Sequence, residues 1–440
     1  MSNKDPLRSP RAANDILPKD HEYHTYMKKV VRHRARQSGF KRISTPIFEY
    51  EELFKRSLGE DSDLFTKGLY KFEDQDGKKM ALKPEGTSGL VRSYIQNEMD
   101  QLPQPVMLYY FEPHFRTEDP KKGTYRQFWQ FGFEILGESD PALDAQLIQM
   151  CQKIYTDLGV EHLFTLQINT IGTIECREKY MQVLEDFYIG KERAVPPEYR
   201  ELIHKNPMRL LEIKHEDLDI LAQMAPSMRD YLDKESIAYH EELLEYLDEL
   251  GIEYVENTQL SRGLDYYNKT VFEFWDNSSE GAENAVCGGG RYDGLVQKLG
   301  GASTPAVGFA CGVERIIANM KREKIKVPSK DELHVFVAQL GKEAKLKCLG
   351  LIDELRERGI KTMGALGKGS INIQLGLANK FGVDHTVLIG LTEVREGKAI
   401  IRNMAKGTQE TVKMEDVADK LTKLVGEKNL DKYSPGELLY

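Results

Sequence analysis

Apolar positions recur along the chain with two different periods, and the switches between those periods mark out its parts. Tyr23, Tyr26, Met27, Val30 and Val31 follow the spacing of one helix face, and Gly39 stops the run. The same spacing returns over 141–158, where Leu147, Ile148, Cys151, Ile154, Tyr155 and Leu158 form a stripe closed by Gly159. Between these helices, aromatic-rich stretches at 106–115 and 125–136 predict strands. Residues from about 175 to 250 are charged, helix-forming and broken by Pro196-Pro197, Pro207 and Pro226, which predicts a helical insertion. Strand signals come back at 264–275, followed by glycine turns at 288–290 and a helix from about 313. Lys321–Lys330 contains Pro328 and no apolar period, the mark of a linker. Beyond it, strands at 333–340, 360–366 and 384–390 alternate with helices at 343–358 and 370–381. A hairpin near 398–413 and a helix at 415–427 complete the pattern. Alternation of that kind predicts a small α/β domain built on a mostly parallel sheet. The spacing thus divides the chain into 1–325 and 331–440.

Composition narrows the class. With 440 residues, 40% hydrophobic and 30% charged, the chain has the balance of a globular protein of two or three domains. No apolar run approaches the ~18 residues of a membrane span, and the opening MSNKDPLRSPRAANDILP contains no signal-peptide core. The five cysteines are far apart and form no Cys-x-x-Cys pair, which argues against a zinc site or a disulfide scaffold. A cytoplasmic protein without membrane contact is expected. The net charge of −9 speaks against a nonspecific nucleic-acid coat. Residues 331–440 are nearly neutral, however, with 17 Lys/Arg against 16 Asp/Glu, and can present a basic face.

The usual phosphate loops are absent. GGGRYDG at 288–294 carries Asp293 where G-x-G-x-x-G needs glycine, and GALGKGS at 364–370 fails the P-loop spacing. The most informative strand is Tyr125–Leu136. Trp129, Phe131, Phe133 and Ile135 fall on one face and read as core. Arg126, Phe128, Gln130, Gly132 and Glu134 fall on the other. That face is either solvated or a substrate floor, on which Gly132 lets a ligand approach the backbone while Gln130 and Glu134 orient it. Arg116 ends the preceding strand beside Glu118, suited to bidentate phosphate binding or to a surface ion pair. In Arg262-Gly263-Leu264-Asp265-Tyr266-Tyr267, adjacent tyrosines on a strand point oppositely, so at most one packs in the core while the other reaches a pocket. Arg315 is placed in the first turn of a helix, where the dipole disfavours a cation and an anionic partner is implied.

FRTE with a Lys-Gly loop and RQF, together with GFACGVER, resembles motifs 2 and 3 of the class II aminoacyl-tRNA synthetases, and Pro46 resembles their motif 1 proline. LKPEGT (82–87), RGLDYYNKTVFE (262–273), CGGGRYDGL (287–295) and PRAANDILP resemble histidyl-tRNA synthetase signatures. The resemblance implies an α+β catalytic domain on an antiparallel sheet with a helical insertion, plus a C-terminal α/β anticodon-binding domain. It implies a cytoplasmic homodimer that makes histidyl-adenylate from L-histidine and ATP and passes the histidyl group to tRNA(His), with Mg²⁺ on the nucleotide's outer phosphates. Carried over by position, Arg116 holds the α-phosphate, Glu118 the adenine amino group, Phe128 the adenine face and Arg315 the γ-phosphate. Arg262 stabilises charge on the α-phosphate, and with Arg116 forms the catalytic pair. Glu85, Gly86, Thr87 and Gln130 meet the amino acid's backbone, while Glu134 and Tyr267, beside Tyr266, read the imidazole nitrogens. Thr124, Ala12 and Lys83 depart from residues common in the family. The alternative is a synthetase-like regulatory subunit of ATP phosphoribosyltransferase, which binds histidine without charging tRNA and typically lacks the C-terminal domain.

Overall fold

The computed structural model describes residues 7–117, 125–213, 215–261, 263–278, 285–328 and 332–432. It separates into two compact units, Met1–Val327 and Pro328–Tyr440. Among the described residues, no helix is long and apolar enough to cross a membrane.

In the first unit the strands are β1 (Lys41–Arg42), β2 (Phe48–Tyr50), β3 (Lys71–Glu73), β4 (Lys79–Leu82), β5 (Val106–Phe115), β6 (Gln127–Leu136), β7 (Phe164–Thr170), β8 (Tyr254–Glu256), β9 (Asn268–Asp276), β10 (Ala285–Arg291) and β11 (Ala306–Gly312). Eight of them make one sheet in the order β1-β5-β6-β11-β10-β9-β7-β8, and β2-β4-β3 make a small second sheet. The centre of the large sheet is antiparallel, while β1 joins β5 and β8 joins β7 in parallel at the two edges.

One face of the large sheet packs on the helices Pro18–Gln37, Pro141–Leu158 and Val313–Arg322. Met27, Val31, Ile148, Ile154 and Ile316 meet Phe131, Phe133 and Ile135 there, so the apolar stripes and the odd-numbered face of β6 form one core. Phe133 lies 5.0 Å from Phe40, 5.7 Å from Tyr109 and 5.3 Å from Phe309, centroid to centroid. Such aromatic pairs contribute about 0.5–1.5 kcal/mol each beyond burial. The Pro141–Leu158 helix starts where Asp140 accepts the Ala142 amide at 2.8 Å and stops at Gly159, whose φ of 74° suits glycine. Among the described residues between Ile174 and Glu249, every regular element is an α-helix or a 3₁₀ turn.

The second unit has a five-stranded mixed sheet in the order β13-β12-β14-β15-β16, where β12 is Val335–Gln339, β13 Thr362–Gly364, β14 His385–Ile389, β15 Lys398–Asn403 and β16 Gln409–Lys413. The first three pair in parallel through the helices Lys342–Glu357 and Ile371–Lys380, and β15–β16 is an antiparallel hairpin. The short Leu391–Glu396 helix before that hairpin has no counterpart in the sequence reading. Six residues are too few for a 3.6 period to stand out.

Candidate active site

The opposite face of the large sheet carries the chemistry. The LKPEGT loop leads from β4 into the helix Thr87–Gln96. Its N-cap is Gly86, which has no side chain to offer. The Glu85 carboxylate takes over, accepting the Thr87 amide at 2.6 Å and the Ser88 amide at 2.9 Å. A carboxylate is favoured at this positive end of the helix. The Thr87 hydroxyl donates to Glu134 Oε1 at 2.8 Å, and the Tyr292 hydroxyl donates to Oε2 at 2.5 Å. Glu134 is 1% exposed. Burial pushes its pKa up to about 8; the two hydroxyl donors work against that, and nearby Glu85 adds to it.

Glycines make this arrangement possible. Gly308 on β11 is paired with Glu134, and a Cβ there would lie 1.5 Å from Glu134 Oε2. Tyr110 on β5 is paired with Gly132. A Cβ at Gly132 would stand 2.4 Å from the Tyr110 Cζ, and one at Gly86 2.3 Å from it. The expectation that Gly132 opens a gap for a ligand is therefore corrected, because the Tyr110 ring fills that space. Its hydroxyl is buried without a hydrogen-bond partner, and burial with Glu134 and Glu85 nearby holds it neutral.

Tyr266 and Tyr267 also depart from the sequence reading. They lie in a turn ahead of β9, not on a strand, and both are buried with ring centroids 4.7 Å apart. The Arg177 guanidinium fixes the turn by donating to the carbonyls of Asp265 (2.8 Å) and Tyr267 (3.3 Å) and pairing with the Asp265 carboxylate at 3.3 Å. Strand alternation does not apply to a turn, so both rings enter one cluster. Tyr292 joins it edge-on to Tyr266 at 5.8 Å.

Further along the same face, Arg116 Nε donates to the Pro84 carbonyl at 3.1 Å, and its guanidinium lies 5.2 Å from the Phe128 ring centroid. His114 backs Phe128 at 6.0 Å. Burial, then Lys83 and Arg116, hold His114 well below its ordinary pKa, and its Nε2 has no partner. Lys83 is itself buried against Glu112 and also donates to the Thr45 carbonyl at 3.2 Å, so the departure at Lys83 keeps a buried ion pair. Gln130 sits opposite Gly312 with its Oε1 buried and unpartnered. Arg315, in the first turn of Val313–Arg322, donates from Nη1 to the Ala285 carbonyl at 2.6 Å. Glu118, Arg262 and Thr124 lie outside the described residues, as do Lys121 and Lys122.

The fold thus brings Glu85, Gly86, Thr87, Arg116, Phe128, Gln130, Glu134, Tyr266, Tyr267 and Arg315 to one face of the large sheet and its bordering loops. The sequence reading missed Tyr110, His114, Tyr292 and Gly308. Tyr292 stood inside CGGGRYDGL, and Tyr110 occupied the period-two position facing Gly132. Buried polar atoms without partners are rare in folded proteins, and among the described residues this face holds such atoms on Tyr110, His114 and Gln130. A ligand with both donors and acceptors suits such a face.

Residues 12–316 match the family model described as histidyl-tRNA synthetase, and residues 334–424 match an anticodon binding domain. The histidine–tRNA ligase of Dehalococcoides mccartyi is 40% identical over 418 residues, covering 95% of this chain and all of that protein. The apo histidyl-tRNA synthetase of S. aureus superposes with a TM-score of 0.79 at 33% identity, over 94% of this chain and all of that one. A Bacillus halodurans structure titled as an ATP phosphoribosyltransferase regulatory subunit/histidyl-tRNA synthetase shares the fold, with a TM-score of 0.61 at 20% identity over 88% of this chain. By model match and identity, this chain belongs to the histidyl-tRNA synthetase family.

Proposed function

We propose that the chain is a histidine–tRNA ligase, which activates L-histidine with ATP and transfers it to the 3′ end of tRNA(His). The observation that carries this reading is the Glu134 carboxylate, gripped by Thr87 and Tyr292 and bordered by the Tyr266–Tyr267 cluster. A neutral imidazole has one donor and one acceptor nitrogen. Glu134 accepts from the first and a tyrosine hydroxyl, that of Tyr267, donates to the second. An apolar side chain in the same place would leave these groups unpaired, which is why such a pocket discriminates strongly. Gln130 and the Glu85–Thr87 loop then receive the amino acid's ammonium and carboxylate.

In-line attack of the carboxylate on the α-phosphate is mainly a matter of positioning and charge stabilisation. Arg116, at the end of β5 with its guanidinium against Phe128, holds the α-phosphate with the adenine on the aromatic ring. Arg315 meets the γ-phosphate, and Glu118 and Arg262 take the roles that the resemblance gives them. Among the described residues no three carboxylates converge. Mg²⁺ would come in on the phosphate oxygens of ATP, as this ion commonly does, neutralising their charge. The homodimer and the cytoplasmic location belong to the same proposal. Against the regulatory-subunit alternative stand the matched anticodon-binding domain and the presence of Arg116, Tyr266, Tyr267 and Arg315.

The test is ATP–pyrophosphate exchange with each of the twenty amino acids. Exchange that requires L-histidine and is nearly absent with glutamine or phenylalanine is expected. Exchange with another amino acid, or histidine binding without exchange, overturns the assignment.

A further inference from the structure

Under the catalytic face, three cysteines distant in sequence meet. Cys151 comes from the Pro141–Leu158 helix, Cys287 from β10 and Cys311 from β11, and all three are buried. Cys287 and Cys311 are cross-strand partners. Cys151 Sγ lies 3.6 Å from Cys287 Sγ and 3.7 Å from Cys311 Sγ, and the Tyr155 hydroxyl, one helical turn after Cys151, lies 3.4 Å from Cys311 Sγ. All three sulfurs fall within 4.8 Å of one another. Spacing along the chain argued against a zinc site because no Cys-x-x-Cys pair is present. The sheet supplies by register what sequence adjacency does not.

We propose that Cys151, Cys287, Cys311 and the Tyr155 hydroxyl form a tetrahedral site for one zinc ion. Zinc bonds thiolate sulfur at about 2.3 Å and oxygen at about 2.0–2.2 Å. A tetrahedron of those lengths has sulfur–sulfur edges of about 3.8 Å and sulfur–oxygen edges of about 3.5–3.7 Å. The measured separations of 3.6, 3.7 and 3.4 Å fall within a few tenths of an ångström of them. Soft sulfur selects zinc over magnesium or calcium. Binding exchanges three S–H bonds for three Zn–S bonds and releases three protons, with no change of oxidation state. The Tyr155 hydroxyl binds as a neutral ligand, so the complex carries one negative charge. Proton release makes the affinity rise with pH.

The site would pin β10 and β11 to the helix from beneath. Gly288 follows Cys287, and Gly312 follows Cys311 opposite Gln130. The ion therefore acts as a clamp under the floor, apart from the reacting atoms, and the proposal stands whether or not the chain charges tRNA.

The experiment uses the full chain, purified under reducing conditions without chelator or histidine tag, incubated with zinc chloride, dialysed and analysed for metal per chain. About one zinc per chain is expected. Cobalt substituted for zinc should show the near-ultraviolet sulfur-to-metal charge-transfer band of a thiolate site. Cys151→Ala, Cys287→Ala and Cys311→Ala, each checked for folding by circular dichroism, should lose more than about 100-fold in zinc affinity, and Tyr155→Phe about tenfold. Cys348→Ala, in the other unit, should bind as the parent does. Should a Cys→Ala variant fail to fold, the metal content and cobalt spectrum of the parent chain still decide. Less than about a tenth of an equivalent of zinc, a parent-like zinc content in Cys151→Ala, preferential copper(I) binding, or a mass two hydrogens light from a Cys151 disulfide would each overturn the proposal.

Discussion

Two carboxylates of the catalytic unit are equally hidden and oppositely held: Glu134 is 1% exposed and Asp144 0%. Asp144 meets a cation. Its Oδ1 accepts Arg291 Nη1 at 2.6 Å, and its Oδ2 accepts the hydroxyls of Thr270 at 2.6 Å and Tyr239 at 3.3 Å. Arg291 is satisfied in turn, donating to the Glu138 carbonyl at 2.7 Å, to Asp293 at 3.1 Å and to the Tyr239 hydroxyl at 2.8 Å. Burial works against the Arg291 charge, but Asp144 and Asp293 more than restore it, so its pKa is raised. Burial raises the pKa of both carboxyls; at Asp144 the Arg291 charge works against the rise, whereas Glu134 receives only two neutral hydroxyls and is pushed up to about 8. A buried charge with all its partners inside the protein is structure. One that receives only hydroxyls, beside orphaned polar atoms, is arranged for something from outside.

The strongest way to break this contrast is Arg291→Ala. It leaves Asp144 buried without its cation, a change that typically costs about 3–5 kcal/mol. The catalytic unit's melting temperature should fall by roughly 5–15 °C. The KM for histidine, measured well below the melting point, should hardly move. A stable Arg291→Ala protein with a raised KM would reverse the roles assigned to the two sites.

Glu134→Gln comes next and should behave in the opposite way. Histidine-dependent exchange is expected to fall about 100-fold or more in kcat/KM, because the amide has no charge and turns one of the two acceptor oxygens into an N–H donor that opposes the Thr87 or Tyr292 hydroxyl. Stability should not fall with it. A carboxylate whose pKa rises from 4.5 to about 8 on folding binds its proton more tightly in the folded state. Its contribution is full below pH 4.5 and is lost as pH rises toward 8. Glutamine does not titrate, so at pH 8 the variant should melt no lower than the parent. Binding is expected to follow the same group. If Glu134 must ionise to accept the imidazole N–H, histidine affinity should rise up to about tenfold per pH unit between 6.5 and 8 and then level. A flat profile would show that the imidazole and Glu134 keep a shared proton.

Much of the two sites' surroundings was legible in the sequence, but not what separates them. The period of Leu147, Ile148, Cys151 and Ile154 announced the helix that carries Asp144, and the alternation through Phe131, Phe133 and Ile135 announced the strand that carries Glu134. Glu134 stood out as a charge on a strand with Gly132 beside it. Its partner Tyr292 lies more than 150 residues away, and only the β6-β11-β10 register brings them together. The strand signal was extended through Tyr266 and Tyr267 because β-formers continue into Asn268–Asp276 without a proline or glycine between. What makes them a turn is Arg177, a long-range contact with no local trace. The convergence of Cys151, Cys287 and Cys311 was hidden for the same reason.

Gly308→Ala should have a smaller effect, confined to the Glu134 side of the comparison. The new Cβ would lie 1.5 Å from Glu134 Oε2, so the carboxylate must move. Overpacking of this kind costs about 1–3 kcal/mol. The KM for histidine should rise about tenfold while kcat changes less, because the displaced group binds substrate and takes no direct part in the chemistry. Unchanged KM would mean that Glu134 can shift without loss of imidazole contact.

Tyr110→Phe is expected to have the smallest effect and to sharpen the contrast most. The hydroxyl is buried with no partner, so it carries an uncompensated desolvation cost of about 1–3 kcal/mol. Phenylalanine keeps the ring that Gly86 and Gly132 accommodate and removes only the oxygen. A purely structural hydroxyl would therefore make the variant more stable, by about 1 kcal/mol, with no kinetic change. A hydroxyl that meets the substrate would give the same gain in the empty protein together with a several-fold rise in the KM for histidine. Its neighbours favour the second outcome. Glu134, Glu85 and Tyr267 all act electrostatically on the Tyr110 hydroxyl, and they are the groups proposed to bind the imidazole and the ammonium. Melting curves with and without histidine separate the cases: the stabilisation by ligand should be smaller in Tyr110→Phe than in the parent. Equal ligand stabilisation would assign Tyr110 to packing alone and leave Glu134, held by Thr87 and Tyr292, and Tyr267 as the recognition set.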